Sequence, residues 1–284
     1  VVVFLIGGNV MKMVERKLAI VLLDLIGSTA FVQKKGAVFS AKWFQYHDRL
    51  ARNLCYKFHG REIDRSDGFL LSFDSVLDAV NFALHYQREI PRKTGLQTRI
   101  GVHWGVVVEV YQSDKYVGAG AKRVELEGIS KNIAARTMSV CSAGQVLLTQ
   151  EAFTIVKSRT NRFTPKNTRY FCVGDYRFKG VRKAQRLYAV GETLSSLEPP
   201  KSSEKAKRLT PKKKVRVSFS KMTTREKLIW AYHKVLLIGL LWFIVLSYMT
   251  LSSPMMRDFL GLQWFAWLDL VNAKVNLFLE RVIK

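Results

Sequence analysis

The chain has 284 residues, of which 48% are hydrophobic, and a formal net charge of +24. That is enough apolar material for one globular domain of about 180 residues plus appendages. Its three cysteines, Cys55, Cys141 and Cys172, have no metal-like spacing and cannot pair evenly, which argues against a disulfide framework and fits a reduced, cytosolic compartment.

Val1 to Val10 is a short apolar stretch without a basic leader or a convincing cleavage site, too short to span a membrane. Residues 1–14 are expected to be disordered or mis-started, with the natural start at Met11 or Met13. The run Leu18-Ala19-Ile20-Val21-Leu22-Leu23 reads as a buried strand ending in a carboxylate, Asp24. Gly27-Ser28-Thr29 follows, small enough for its N–H groups to approach a phosphate. From Val38 to Phe58 the apolar spacing is helical, through Phe39, Trp43, Phe44, Leu50 and Leu54. Ser66-Asp67-Gly68 forms a turn between two short strands, and Ser75 caps a helix running through Val76, Ala79, Val80, Ala83 and Leu84. Strands are expected at Thr98 to His103 and Val106 to Tyr111, joined by a tight turn at Trp104-Gly105. The order predicts an α+β fold with helices over one sheet face.

The chemistry sits in Asp24, Asp67 and the cluster Asn132-Ile133-Ala134-Ala135-Arg136. Paired loop carboxylates at strand ends suit hard divalent cations, which take few protein oxygens and leave other positions to water and phosphate. Taken singly, an Asp-Gly turn is most often a hairpin and Asn-x-Ala-Ala-Arg an ordinary helix. Those readings explain neither the joint order nor an acid at the end of a continuous apolar strand, where it is costly without a cation or donors.

In their order, Leu23-Asp24-Leu25-Ile26-Gly27-Ser28-Thr29, Gly60-Arg61-Glu62-Ile63 through Asp67-Gly68-Phe69, Arg99-Ile100-Gly101-Val102-His103-Trp104-Gly105, Asn132 to Arg136, Gly144 to Thr149 and Phe178-Lys179-Gly180 resemble the class III nucleotidyl cyclases. The resemblance implies a ferredoxin-like catalytic domain over residues 15–192, with an antiparallel-rich sheet. It also implies a reaction in which the ribose 3′-oxygen of a nucleoside triphosphate attacks its own α-phosphorus and expels pyrophosphate. Asp24, Asp67 and the backbone carbonyl of Leu25 would hold two Mg²⁺ or Mn²⁺ ions. Ile26, Gly27, Ser28 and Thr29 would cradle the β- and γ-phosphates, with Lys179 also on the substrate. Asn132 would orient the ribose and Arg136 would stabilise charge on the α-phosphoryl oxygens. Because the family completes each site across a dimer interface, the resemblance implies a homodimer.

Two departures bear on the base. Adenine-selecting members carry a Lys a few residues before the second metal Asp and an Asp seven residues before the Asn; here those places hold Ile63-Asp64 and Glu125. Glu125 can accept from an exocyclic amine, whereas Asp64 cannot donate to adenine N1. The product is therefore open between cyclic AMP, commonest in the family, and a cyclic pyrimidine (cUMP or cCMP), as in bacterial antiphage cyclases. Trp104 replaces a usually small residue and either narrows the site or caps the core. A silent dimeric membrane scaffold is disfavoured because all four metal and transition-state positions are kept.

The tail changes character. Residues 193–227 read as a basic linker, in which the lysines and arginines from Lys201 to Lys227 meet only Glu204 and Glu226. Residues 228–253 then supply the roughly 20 apolar residues a bilayer needs. A buried globular helix is the rival reading, but no other tail segment could cover it on every side. Residues 254–284, with Trp264 and Trp267 among scattered charges, suit an interfacial amphipathic helix or a short second membrane helix. The positive-inside rule puts the catalytic domain on the cytoplasmic side of the cell membrane, with anionic lipid the partner of the basic linker. That lipid explains the charge excess more simply than nucleic acid does, and neither a zinc pattern nor a recognition helix is present.

Overall fold

The computed structural model describes residues 2–6, 9–66, 68–200, 202, 204–210 and 224–252. They fall into two compact units, Val1–Val217 and Ser218–Lys284. In chain order the first unit contains β1 (Val2–Ile6), β2 (Asn9–Ile26), α1 (Ser28–Lys35), α2 (Ala37–Lys57), β3 (Arg61–Arg65), β4 (Gly68–Phe73), α3 (Val76–Thr94), β5 (Gln97–Tyr111) and α4 (Asp114–Gly118). It continues through β6 (Val124–Glu127), α5 (Ile129–Val140), β7 (Gln145–Thr149), α6 (Gln150–Val156), β8 (Arg169–Phe178), β9 (Gln185–Gly191), a single helical turn Ser195–Leu197 and β10 (Ala206–Arg208). The second unit holds α7 (Thr224–Ser252).

The strands make one sheet in the order β10-β8-β9-β7-β5-β2-β4-β3, with β1 added to β2 and β6 to β5. Only β5 and β7 run parallel among the described pairings, so the α+β class stands. Strand β2 lies at the centre because it is apolar at every position from Leu18 to Leu23, the pattern of a strand covered on both faces. Ala19, Val21 and Leu23 pack with α2 and α3 against Phe58, Phe69, Phe73, Phe82 and Tyr86. Leu18 and Ile20 face the other way, toward Val107, Leu126 and Ala134 of α5. Helices therefore cover both faces, a correction to the one-faced arrangement expected from element order. Gly101 is what lets α5 settle on β5, since a Cβ there would run into the Met138 nitrogen and lie 2.8 Å from the Ala134 carbonyl oxygen.

Three further expectations change. The turn expected at Trp104-Gly105 is absent: β5 continues through it, because β2 offers an unbroken antiparallel partner from Lys12 opposite Tyr111 to Ile26 opposite Gln97. Gly105 serves close approach instead, as a Cβ there would collide with the Ser130 hydroxyl of α5. Trp104 packs beside the α2–α3 core, with Lys17 Nζ 5.7 Å from its ring centre, so it caps the core. Residues 1–14, expected to be disordered, are strand wherever described: Val2–Ile6 pair with Asn9–Met13, a sequence rich in the β-branched residues that favour extended backbone.

The linker expected from 193 is also shorter. The sheet continues to β10, with Ala206 opposite Phe178, and Leu197 and Ala206 are buried against Tyr176 and Phe178. Residues 211–223 of that linker and the tail from 253 onward lie outside the described residues. Within α7 the stretch Lys227–Val245 is long and apolar enough to cross a membrane, and none of it is buried.

Candidate active site

Asp24 ends the apolar run of β2, on the face that carries Leu18 and Ile20. Its neighbours across the sheet are Gly68 of β4 and Arg99 of β5. Both Arg99 bonds go to one carboxylate oxygen: Nε donates to Asp24 Oδ2 at 2.9 Å and Nη2 to the same atom at 2.6 Å. Oδ1 has no donor among the described residues. A half-buried carboxylate with one oxygen anchored and the other open is the donor a hard cation takes in monodentate fashion. Strand β4 stops opposite Asp24, so the Leu25 carbonyl lies past the last β2–β4 rung. Gly68 permits the approach of β4, since any Cβ would strike the Leu23 carbonyl oxygen. Asp67, expected as the second metal ligand, lies outside the described residues; its neighbours close a turn in which Ser66 N–H donates to the Gly68 carbonyl at 3.2 Å.

Immediately after β2, Gly27 adopts the left-handed conformation (φ 77°) and caps α1. Phe31 N–H bonds back to the Gly27 carbonyl, while no side chain caps the helix. The first N–H groups of α1, from Ser28 and Thr29, therefore have no capping partner and carry the positive end of the helix dipole, an arrangement suited to phosphate. Ile26 is partly exposed beside them.

The two positions expected to meet the base lie on β3 and β6, strands that do not pair with each other. Asp64 sits in β3 just after a register shift between Glu62 and Asp64, and Glu125 lies on β6 opposite Val110. The sequence comparison found no lysine here, but the fold supplies one: Lys122 Nζ, just before β6, forms an ion pair with Asp64 Oδ1. Both side chains are at least one-third exposed, so the pair is a weak contributor to stability. Spacing along β3 alone could not reveal a cation supplied by the segment leading into β6.

Asn132 and Arg136 share a face of α5 at i and i+4. Asn132 is exposed, and the Arg136 Nε is buried without a hydrogen-bond partner, which fits a group awaiting an anionic ligand. Among the described residues no hydrogen bond or ion pair joins Asn132 or Arg136 to Asp24. Lys179, exposed at the end of β8, is likewise separated from β2 in sheet order by β9, β7 and β5. One chain thus brings Asp24, Leu25 and the α1 turn into one group, joins Asp64 to Lys122 just before the strand that carries Glu125, and leaves Asn132, Arg136 and Lys179 apart from the first.

Two supports behind the site escaped the sequence reading. Arg99 is the first; nothing in the local sequence around it points to Asp24, and its role follows only from the β2–β5 register. The second is a buried chain of polar groups under the β3–β4 turn. His47 Nε2 contacts the Tyr86 hydroxyl, His47 Nδ1 lies 2.9 Å from Asp48 Oδ1, and Arg65 Nε donates to Asp48 Oδ2 at 2.8 Å. Burial pushes the Asp48 carboxyl up, but hydrogen bonds from His47 and Arg65 outweigh it and hold the group below its usual range. On β5, burial pulls the His103 imidazole down to about 4, against the weaker opposing pull of Glu151, so this histidine is neutral at physiological pH. Its Nδ1 lies 2.9 Å from the Thr149 hydroxyl, a structural tie between β5 and β7.

Comparison with known proteins bears on this arrangement. The profile of the family described as the adenylate and guanylate cyclase catalytic domain matches residues 11–192. No curated protein matches by sequence. Among solved structures, the adenylyl cyclase CyaB from P. aeruginosa is 17% identical, with a TM-score of 0.56 covering 66% of this chain and 99% of that one. Adenylate cyclases from Trypanosoma brucei in their monomeric state give 21% identity and a TM-score of 0.51, over 61% of this chain and 89% of theirs. The guanylate cyclase domain of RhGC from Catenaria anguillulae, in complex with GTP, gives 17% and 0.51, over 63% and 97%. At these identities the likeness to solved structures is one of fold.

Proposed function

The chain belongs to the adenylate and guanylate cyclase catalytic domain family and is a class III nucleotidyl cyclase, and from that premise we propose that it is a membrane-anchored homodimer making cyclic AMP from ATP. The observation that carries the site assignment is Asp24, pinned through one oxygen by Arg99 and open at the other, at the head of an uncapped helix. Asp24, Asp67 and the Leu25 carbonyl would hold two Mg²⁺ or Mn²⁺ ions, which when bound lower the pKa of the ribose 3′-hydroxyl and neutralise the triphosphate. The N–H groups at the start of α1 receive the β- and γ-phosphates. From the second subunit, Asn132 hydrogen-bonds the ribose and fixes the 3′-oxygen in line with the α–β anhydride bond, while Lys179 meets the triphosphate. The bond from O3′ to the α-phosphorus forms as the anhydride bond breaks, and Arg136 offsets the charge gathering on the α-phosphoryl oxygens. The apolar window of α7 would anchor the protein in the cell membrane, with the catalytic unit cytoplasmic and the basic linker against anionic lipid.

Base selection rests on Lys122, Asp64 and Glu125. Lys122 supplies the donor missing from β3 and can serve adenine N1, while Glu125 accepts from the 6-amino group. The same donor and acceptor also suit cytosine N3 and its 4-amino group, which is the observation favouring a pyrimidine cyclase as the second reading. The test is to incubate the full chain in detergent with Mn²⁺ and each of ATP, GTP, CTP and UTP, then resolve the cyclic products. Cyclic AMP should dominate. Lys122→Met should lower ATP turnover by about 10- to 100-fold while changing GTP turnover much less, the scale of one lost charged hydrogen-bond donor to the base. Cyclic CMP as main product would replace the first reading with the second, and no cyclic product from any nucleotide would end both.

A further inference from the structure

The aromatic residues at the α1–α2 corner belong to no part of the core. Helix α1 has no buried residue at all, and α2 buries none before Ser40. Phe31 instead meets Phe39 and Phe44 at ring distances of 6.4 and 5.8 Å, Phe39 stacks on Trp43 at 6.2 Å, and Trp43 meets Tyr46 at 5.9 Å. None of these rings joins the packed clusters around β2 and β5. Val38 is 75% exposed and Phe39 50%. Phe31, Trp43, Phe44 and Tyr46 are half-buried and Trp43 Nε1 donates to the Thr94 carbonyl at 3.0 Å, so the ladder is held on one side and presents Val38 and Phe39 outward, a joined apolar edge rather than a single stray residue.

Its charge says which cover. Between Gly27 and His47 there is no Asp or Glu, while Lys34, Lys35 and Lys42 are all exposed. Lys35 Nζ stands 5.9 Å from the Phe39 ring centre. Trp, Tyr and Phe bodies interleaved with lysines are the composition that settles at a lipid headgroup boundary. A second copy meeting at this same corner is the poorer cover, since Lys34, Lys35 and Lys42 would face their own counterparts. We propose that the α1–α2 corner docks on the anionic leaflet of the membrane into which α7 inserts. The inference rests on the spanning reading of α7. Docking would give α1 the footing that the core does not, and α1 carries the phosphate-binding turn at its head. Anionic lipid would then raise activity by steadying that turn.

The experiment places a fluorophore on the corner of the full chain. Cys172 is exposed and is changed by Cys172→Ser; Cys55 and Cys141 are buried, with burial pushing both thiols up to about 12, so a Cys introduced by Val38→Cys is the site alkylated. The labelled protein enters nanodiscs of phosphatidylcholine alone or mixed with phosphatidylglycerol, with a doxyl-lipid quencher. Quenching is expected in the mixed discs and little in the neutral ones, since three lysines shift the docked-to-free ratio by about a hundredfold. Lys34→Glu, Lys35→Glu and Lys42→Glu together should abolish it. Equal quenching in both discs, or no quenching with free access by aqueous iodide, would overturn the proposal. Iodide exclusion without lipid quenching would also overturn it, in favour of a second copy. A chain that fails to enter discs at all would defeat the spanning reading and this inference with it, a result distinct from entry without quenching.

Discussion

The two faces of β2 serve different ends. Toward α2 and α3, Ala19, Val21 and Leu23 join a dry cluster with Phe58, Phe73, Phe82 and Tyr86, all close to fully buried. Toward α5, Leu18 and Ile20 are also fully buried, in a smaller cluster with Val107, Leu126 and Ala134, and the same face ends in half-buried Asp24. One strand thus anchors the fold through both faces, and only the end of one face opens to solvent. The difference teaches that an exposed polar position can follow directly on a run of core residues along one strand.

The sharpest way to break the catalytic face is Asp24→Asn. An amide is a poor partner for a divalent cation, so turnover should fall by at least about 10³-fold, whereas folding should lose no more than about 1–2 kcal/mol because Asn still accepts from Arg99. Arg136→Ala should be equally inactive. Mixing the two inactive chains in equal amounts should restore about one quarter of wild-type activity, as half the dimers are mixed and each holds one intact site. Mixed dimers without activity would show that Asp24 and Arg136 serve the same chain's site.

The packing face gives the opposite result. Phe82 is fully buried, with ring centres 5.4 Å from Phe73 and 5.6 Å from Tyr86. Phe82→Ala should cost about 3–5 kcal/mol in a urea titration. The rate per folded molecule, measured below the transition, should stay within about twofold of wild type; a large loss there would show that the two faces are coupled.

A smaller effect sharpens the boundary at β5. The folded-state His103 imidazole titrates near 4 against 6.5 when free. Its depressed value means the unfolded chain binds the extra proton first, so stability is fully present above about pH 6.5 and is lost as pH falls toward about 4, by about 3 kcal/mol. Urea midpoints taken across that range should show the slope, and His103→Gln should flatten it. An unchanged slope would assign the acid sensitivity elsewhere.

Much of this was readable from the chain because local patterns decide it. The unbroken apolar run into Asp24, the Ser75 cap, where the hydroxyl accepts from Asp78 N–H at 3.2 Å, and the helix from Val38 to Phe58 are all short-range signals. What escaped depends on register and on distant strands. Trp104-Gly105 looks like a turn until β2 is seen to offer an unbroken partner, and β10 looks like linker because three residues pairing with β8 leave no periodicity. Lys122 reaches Asp64 from the segment before β6, and Arg99 finds Asp24 only through the β2–β5 register. A glycine such as Gly68 reads as turn chemistry, yet what it provides is clearance over Leu23.

Asp24 and Arg99 stand 75 positions apart in the chain, and their ion pair exists only when β5 has returned to lie beside β2. Pairing strands so remote makes an entropically costly loop before any contact repays it, which places such folds among those that form in milliseconds to seconds. The segment running from α2 through β3 and β4 to α3 can gather earlier from nearer contacts. Nascent or partly unfolded molecules would therefore hold this segment without the Asp24–Arg99 pair, and under the proposed function the capacity to retain Mn²⁺ would arise as one of the last events in folding.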